Sequence, residues 1–341
     1  MLNDTDTSSR LAELKRLAAA VTGQVERVAL LYGGTSGERE VSISSGTSVK
    51  EVLEQEGFMV FFIDTGKPGF IDELIAAKPQ VAFIALHGKG GEDGCIQGFL
   101  ETLGIPYTQS GVESSAVAMD KRLSKILYEL RGLATAEFVE LSRENHLEEA
   151  GLDTLVELIG LPCVVKPTSD GSSLGVSIPK TREELALAIE AGFAIGDLLL
   201  VEKFIEGIEV TVPVLGNKAK ELLPLSVVEI VSKNEFYDYE SKYAEGGSAH
   251  IIPARLSAEQ IALCQQAAVE AHVALGCAGL SRTDIIVSED GVPWLIETNT
   301  VPGMTHTSLI PDSARHYGLT DGELYRLLLH YALERSGEDK G

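Results

Sequence analysis

Residues 281–308 read SRTDIIVSEDGVPWLIETNTVPGMTHTS. Two β-rich apolar runs, at residues 283–287 and 292–296, flank an Asp-Gly pair. Asp-Gly between such runs predicts a β-hairpin with a two-residue turn at Asp290-Gly291.

The predicted turn brings four polar side chains together. It places Asp284 opposite Glu297 and Arg282 opposite Asn299, and alternation along each strand puts all four on one face. Carboxylate and amide oxygens suit a hard cation such as Mg²⁺ shared with substrate phosphates. An ordinary half-exposed hairpin with a cross-strand Arg–carboxylate pair explains the same residues equally well.

Composition bounds the class of protein. The chain has 341 residues, 44% of them hydrophobic, which is enough for two or three globular domains. Its net charge of −23 argues against non-specific binding to nucleic acid or to an anionic membrane. The four cysteines form no C-x-x-C pair, and neither a secretory signal nor an apolar run of about 20 residues is present. We therefore expect a cytoplasmic protein with reduced thiols and no nucleic-acid or membrane partner.

The first third of the chain alternates strands with helices. Apolar runs at residues 28–32, 60–63 and 81–86 predict a parallel sheet, whose ligands bind beyond the carboxyl ends of the strands. GGTSGERE (33–40) and HGKGGEDG (87–94) fall at those ends. Neither segment fits a Walker A loop or a Rossmann fingerprint, so no P-loop or dinucleotide site is predicted.

Later segments predict a helix, a phosphate loop and a lid. Residues 113–130 are expected to form one helix. A strand ending on Lys166 precedes TSDGSSLG (168–175), which has the form of a loop whose N–H groups wrap a phosphate, although an exposed hairpin loop is the alternative. The polar segment 232–252 is long enough to act as a lid. Residues 10–25 predict an added amphipathic helix that packs on the body or on a partner subunit.

Several long motifs occur in order along the chain: GGTSGEREVS, ALHGKGGEDG, MDK, VVKPTSDGSSLG, VEKFIEG, FYDYESKY, SRTDI and IETNTVPGMTHTSLIP. In these motifs the sequence closely resembles the D-alanine–D-alanine ligase family of the ATP-grasp superfamily. The resemblance implies an α/β ATP-grasp fold with three domains. These are a Rossmann-like N-terminal parallel-sheet domain (27–110), a small α+β central domain (111–202) and a larger antiparallel-sheet C-terminal domain (203–341) with lid loop 232–252. A partly helical extension (1–26) precedes them.

The resemblance also implies the reaction and its cofactors. ATP, bound between the central and C-terminal domains, phosphorylates the carboxylate of one D-alanine, and the amine of a second D-alanine displaces the phosphate. The implied nucleotide-binding residues are Lys121, Lys166, Ser172, Ser173, Glu202, Lys203, Phe204, Glu209 and Lys242. Asp284, Glu297 and Asn299 would hold two Mg²⁺ ions, or Mn²⁺ in their place.

The substrate contacts follow from the same resemblance. Glu38, supported by His87, would hold the ammonium of the first D-alanine, although an acid here also suits the first turn of a helix. Ser308 would bind the carboxylate of the second D-alanine, and Arg282 with the Gly303 N–H would form an oxyanion hole. The implied catalytic residues are Glu38, Ser172, Tyr243, Arg282, Gly303 and Ser308.

Alternatives remain open from sequence. D-lactate or D-serine could replace the second D-alanine, and another ATP-grasp carboxylate–amine ligase is a further candidate. A catalytically silent nucleotide-binding protein on the same fold is the alternative of a different class. The family resemblance also implies a role in peptidoglycan precursor synthesis and a homodimer.

Overall fold

The computed structural model describes residues 4–145, 149–168, 175–232 and 248–338. The first sheet is parallel, as predicted, and has the strand order β2-β1-β3. Its elements, with the flanking helices, are β1 (Arg27–Tyr32), α2 (Arg39–Gln55), β2 (Met59–Asp64), α3 (Phe70–Ala77), β3 (Val81–Ile84) and α4 (Cys95–Thr102). Strand β1 is central and almost fully buried, which explains its unbroken apolar sequence.

The central part of the chain forms an antiparallel sheet of order β4-β6-β5, covered by helices α7 and α8. Its elements are α5 (Val112–Met119), α6 (Lys121–Leu130), β4 (Phe138–Ser142), α7 (Glu149–Ile159), β5 (Cys163–Pro167), α8 (Arg182–Ile195) and β6 (Leu198–Lys203). The single helix expected over residues 113–130 is wrong. Asp120 interrupts it because its carboxylate accepts hydrogen bonds from Arg122 N and Leu123 N and so caps α6.

The last sheet is antiparallel and has the order β10-β9-β7-β11-β12, with β8 paired to β7. Its elements are β7 (Gly207–Leu215), β8 (Leu223–Pro224), β9 (Val228–Ser232), β10 (Ser248–Ile251), α9 (Ala258–Ala274), β11 (Leu280–Ser288) and β12 (Pro293–Asn299). Helix α9 begins at a capping box made by Ser257 and Gln260, and it packs on the sheet through small apolar residues.

The two ends of the chain share one hydrophobic core. Helix α1 (Asp4–Val21) buries Leu14 and Ala18 in a cluster that also contains residues of the first sheet and of the last helix. Helices α10 (Leu309–Tyr317) and α11 (Asp321–Glu338) complete this region. The added N-terminal helix therefore packs on the body of its own chain, one of the two arrangements expected for it.

The β11–β12 hairpin has a three-residue loop, so the predicted two-residue turn is wrong. Ser288 N donates to Val292 O at 3.1 Å, and Gly291 N donates to Ser288 O at 2.8 Å. Gly291 has φ +84°, the left-handed conformation that such a loop requires at its last residue.

A β-bulge restores the predicted pairing further along the hairpin. Ile285 pairs with Leu295, but Asp284 pairs with Glu297, so the intervening Ile296 is the extra residue. The longer loop and the bulge shift the register in opposite directions. As a result Asp284 lies opposite Glu297 and Arg282 opposite Asn299, as predicted.

Two expectations from composition concern thiols and membranes. All four cysteines are free, and three of them are buried. Within the described part of the chain, every helix is too short or too polar to cross a bilayer.

Candidate active site

One cavity of about 410 Å³ lies between the first sheet and the β11–β12 hairpin. Most of the residues implied to bind the amino-acid substrates, together with some of the nucleotide and metal candidates, line it. These predicted residues are Glu38, His87, Lys121, Arg282, Glu297, Asn299, Gly303 and Ser308. The sequence motifs that are far apart in the chain therefore meet at one place.

Glu38 reaches the cavity from the start of α2. It occupies the N-cap position, but its side chain makes no capping hydrogen bond and is only 8% exposed. Instead the carboxylate lies against the loop after β3, since a Cβ built on Gly88 would be 2.7 Å from Glu38 Oε2. The side chain is thus directed into the site. The next residue, Arg39, forms a two-pronged ion pair with buried Asp64 and has a structural role.

His87 connects the first sheet to the turn after β12. Its Nδ1 donates to Val301 O at 2.9 Å, and its Nε2 accepts from Ser45 Oγ at 3.0 Å. Ser45 Oγ in turn accepts from Met304 N at 3.3 Å. Burial lowers the pKa of His87 to about 4, so the ring is neutral and its tautomer is set by these bonds. Both ring nitrogens hold the wall of the cavity in position.

The turn after β12 places a helix start at the cavity. Ser308 is the N-cap residue of α10, and its Oγ accepts from Thr305 N at 3.0 Å. A Cβ built on Gly303 would lie 3.1 Å from Ser308 Oγ, so this glycine permits the close approach. A helix N-terminus with exposed N–H groups is a suitable position for a carboxylate.

The polar face of the hairpin is arranged as two ion pairs. Arg282 forms a fork with Asp284, Nε to Oδ1 at 3.0 Å and Nη2 to Oδ2 at 2.8 Å. Asp284 Oδ1 also accepts from Thr211 Oγ1 at 2.5 Å. Lys121 Nζ lies 3.1 Å from Glu297 Oε2. Burial opposes the charge of Lys121, but Glu297, with smaller contributions from Glu202 and Glu92, outweighs burial and raises the pKa of the lysine.

The three candidate metal ligands have the oxygen donors that Mg²⁺ prefers. Asp284 and Glu297 face each other across the hairpin, and Asn299 Oδ1 accepts a hydrogen bond from Val301 N at 2.9 Å. Within the described residues no cluster of three His, Cys, Asp or Glu side chains is close enough to hold a metal, because the third donor here is an amide. Cationic side chains contact both carboxylates, which indicates that this position accommodates positive charge.

A second polar cluster is buried at the β5–β6 edge. Lys166 Nζ lies 3.0 Å from Glu202 Oε2, and Lys125 Nζ lies 3.3 Å from Glu202 Oε1. Burial disfavours the Glu202 anion, yet the two lysines more than compensate and lower the pKa of its carboxyl group. The pairing with Lys125 lacks hydrogen-bond geometry, so Oε1 is a buried acceptor with no hydrogen-bonded partner among the described residues.

The remaining predicted residues are dispersed or lie outside the described residues. Lys203 ends β6 and is exposed, while Phe204 and Glu209 are half-buried nearby. Ser172, Ser173, Lys242 and Tyr243 lie outside the described residues, as does most of the lid segment.

Sequence reasoning missed three residues that the structure brings into or beside these clusters. Glu92 lines the cavity and is 8% exposed, Ser45 holds His87, and Lys125 is buried against Glu202. Glu92 carried one usable signal, an acid in the loop beyond the third parallel strand. Ser45 and Lys125 carried none, since each sits within a helix whose neighbours only the fold reveals.

Comparisons with known proteins agree with this geometry. The family profile described as the D-ala D-ala ligase C-terminus matches residues 127–330, and the N-terminus profile matches residues 70–110. A D-alanine–D-alanine ligase of Halalkalibacterium halodurans is 47% identical over 310 residues, covering 91% of this chain and 100% of that protein. One from Syntrophobacter fumaroxidans is also 47% identical, over 90% of this chain and 97% of that protein.

Solved structures give the same result. The D-alanine–D-alanine ligase of Bacillus anthracis has a TM-score of 0.80 at 35% identity, covering 92% of this chain and 99% of that one. Its complex with ATP has a TM-score of 0.79 at 32% identity, with the same coverage. The fold is therefore that of the ATP-grasp ligases, which confirms the predicted class. The chain belongs to the D-alanine–D-alanine ligase family.

Proposed function

We infer that this chain is an ATP-dependent ligase that joins two D-alanine molecules through a D-alanyl phosphate, releasing ADP and phosphate, for peptidoglycan precursors. The observation that carries this function is the cavity between the first sheet and the hairpin. It combines a buried carboxylate at Glu38, a guanidinium at Arg282 and the start of α10 at Ser308. These groups complement an ammonium, a developing oxyanion and a carboxylate.

The proposed roles at the two amino-acid positions follow from that complementarity. Glu38 holds the ammonium of the first D-alanine, and His87 supports it by fixing the wall between Ser45 and Val301. Arg282 and the Gly303 N–H stabilise the tetrahedral oxyanion formed when the second amine attacks. Ser308 at the N-terminus of α10 takes the carboxylate of the second D-alanine, and its closeness to Gly303 supports a shared role.

The nucleotide is proposed to lie along the second cluster. Glu202 Oε1, buried and without a hydrogen-bonded partner among the described residues, is suited to accept from the adenine amino group. Phe204 and Lys203 follow at the end of the same strand, and Glu209 is proposed for the ribose. Lys166 and Lys121 supply cations for the phosphates.

Asp284, Glu297 and Asn299 are proposed to hold two Mg²⁺ or Mn²⁺ ions. Bound divalent ions neutralise charge on the phosphate oxygens during phosphoryl transfer. The cations that now pair with these carboxylates, Arg282 with Asp284 and Lys121 with Glu297, would then be available to the acyl group and to phosphate.

Residues outside the described ranges retain the roles that the family resemblance implies. We propose that Ser172 and Ser173 close over the phosphates and that Lys242 contacts the γ-phosphate. Tyr243 is proposed to join Glu38 and Ser172 in a network that seats the 232–252 lid and excludes water from the acylphosphate.

The assembly is also a proposal. We propose three domains, at residues 27–110, 111–202 and 203–341, because each contains its own sheet. We further propose a cytoplasmic homodimer, supported by family membership.

The test is direct. Purified protein is incubated with ATP, Mg²⁺ and D-alanine, and phosphate release is compared with the amount of D-alanyl–D-alanine by mass spectrometry. We expect a one-to-one ratio that requires both Mg²⁺ and D-alanine. Phosphate release and product that depend on added D-lactate or D-serine would instead identify a ligase with another second substrate.

A metal-site variant tests the cofactor assignment. Glu297→Gln is expected to raise the Mg²⁺ concentration for half-maximal activity at least about tenfold, because a neutral ligand replaces a charged one. Glu289→Gln, an exposed acid in the loop of the same hairpin, serves as the matched control. Equal Mg²⁺ dependence of the two variants would contradict the assignment.

A further inference from the structure

Glu92 is a buried acid that the proposed roles leave unused. It lies in the loop after β3, is 8% exposed and lines the cavity beside Glu38. Its Oε2 accepts from Gly88 N at 2.7 Å. Its Oε1 is buried without a hydrogen-bond partner among the described residues. A buried carboxylate oxygen left in this way is costly unless a ligand satisfies it.

Glu92 and Glu38 approach Gly88 from different elements. Glu38 Oε2 lies near the Cα atom of Gly88, on the side where a Cβ would be. Glu92 Oε2 accepts a hydrogen bond from the N–H group of Gly88. The two acids are both buried, and Glu38 acts electrostatically on Glu92. One cation placed between them would relieve both the repulsion and the unpaired oxygen.

The protonation of Glu92 follows from its surroundings. Burial, and then the nearby Glu38, raise the pKa of Glu92 to about 8, and Glu297 adds to this effect. The Gly88 N–H and the Arg282 guanidinium act in the opposite direction. Lys121 also interacts with Glu92, and His87 next to this loop is neutral. At neutral pH, before substrate binds, Glu92 is therefore mainly the uncharged acid.

We propose that Glu92 is a second anionic partner of the first D-alanine ammonium and gives up a proton when that ammonium binds. This inference rests on the proposed function, because Glu38 defines where the ammonium lies. The step is balanced: the neutral Glu92 carboxyl group releases its proton to solvent and becomes a carboxylate paired with the substrate's –NH₃⁺. The ammonium group of the substrate thus takes the place of the Glu92 proton as the group that balances the charge of the two acids.

Glu92 could instead have a purely structural role, since its hydrogen bond from Gly88 N also stabilises the loop. Glu92→Gln separates the two roles. The amide oxygen can still accept from Gly88 N, and the neutral side chain resembles the protonated acid of the substrate-free protein. The variant cannot become an anion when the substrate arrives.

Asp93→Asn is the matched control. Asp93 is the adjacent acid in the same loop and accepts from Gly90 N at 2.8 Å and from Cys95 N at 3.1 Å. Because it does not line the cavity, its replacement removes a loop acid and weakens loop bonds without affecting the ammonium position.

The first experiment is steady-state kinetics that resolve the two D-alanine sites. Glu92→Gln is expected to raise the first-site KM about 10- to 100-fold, the value of a charge-assisted hydrogen bond, with little change in the KM for ATP. Asp93→Asn is expected to leave the first-site KM unchanged within about twofold. First-site KM values that are equal in Glu92→Gln and wild type would overturn the proposal.

The second experiment measures the released proton. D-alanine is titrated calorimetrically into protein loaded with a non-hydrolysable ATP analogue and Mg²⁺, in buffers of differing ionisation enthalpy at several pH values. Wild type and Asp93→Asn should release most of one proton near pH 7, falling towards zero above about pH 9. Glu92→Gln should release none, a difference that a structural brace would not produce.

The titration of wild type tests whether a proton is released on D-alanine binding, even if Glu92→Gln does not fold. Absence of proton release near pH 7, in protein that makes D-alanyl–D-alanine, overturns the role of Glu92 and leaves the proposed function intact. Absence of ligation by wild type instead overturns the proposed function. Rescue of the first-site KM towards wild type by Glu92→Asp, relative to Glu92→Gln, would further support the charge requirement.

Discussion

Two buried histidines are expected to make the protein acid-sensitive. Burial lowers the pKa values of His87 and His272 to about 4. In the unfolded chain an imidazole titrates near pH 6.5. Between these values the unfolded state binds protons that the folded state does not, so stability falls as the pH decreases through this window. Above about pH 6.5 neither histidine contributes, and below about pH 4 the loss is complete.

The size of the effect follows from the same values. At pH 5, linkage gives a loss of about 2 kcal/mol for each histidine, and about 4 kcal/mol for both. His272 provides the cleaner test because it lies in α9, where its Nδ1 is 2.7 Å from Ser281 Oγ. Glutamine at this position can keep a hydrogen bond to Ser281 but does not titrate.

The assay is urea unfolding followed by the fluorescence of Trp294, the single tryptophan of the chain. Between pH 7.5 and 5.0, the wild-type free energy of unfolding should fall about 2 kcal/mol further than that of His272→Gln. His306→Gln is the control, since the His306 side chain is 80% exposed. Equal losses of stability in wild type and His272→Gln over this pH range would show that His272 does not cause the acid sensitivity.

Three further substitutions test the geometry. Gly88→Ala should raise the first-site KM for D-alanine, because its Cβ would lie 2.7 Å from Glu38 Oε2 at a φ of +69°; an unchanged KM contradicts that contact. Tyr128→Phe should cost about 1 kcal/mol in unfolding measurements, since it removes the buried hydrogen bond that the Tyr128 OH donates to Thr298 Oγ1 at 2.7 Å. Gly291→Ala should cost about 1 kcal/mol in the same assay but preserve activity, and an inactive, stable variant would place the turn in the site.

The hairpin illustrates what sequence could and could not predict. The facing pairs Asp284–Glu297 and Arg282–Asn299 were predicted from an assumed two-residue turn. The turn is longer, and the bulge at Ile296 compensates for it, so the pairing was correct although its premise was not. A bulge depends on how a strand packs against its neighbours, and periodicity in one strand does not record that.

The parallel sheet was predictable because apolar strand runs and the glycines that follow them are local signals. The contributions of Ser45, Glu92 and Lys125 were not, because burial and electrostatic partners come from elements distant in sequence. Lys125, for example, has the sequence context of an exposed helix residue, but in the structure it is buried and contacts Glu202 and Thr135. The helix start after Asp120 could have been predicted, since Asp is a preferred N-cap residue.

The first and last helices have a topological consequence. Lys15 of α1 contacts Glu323 near the start of α11, whereas Arg10 interacts with Tyr331 further along α11. The two helices therefore run antiparallel, and the start of α1 lies near the end of α11. A short peptide joining these ends would close the chain into a ring, and new termini could then be opened at the turn around Lys218. Such a circular permutant should keep the shared core, because it severs no strand or helix.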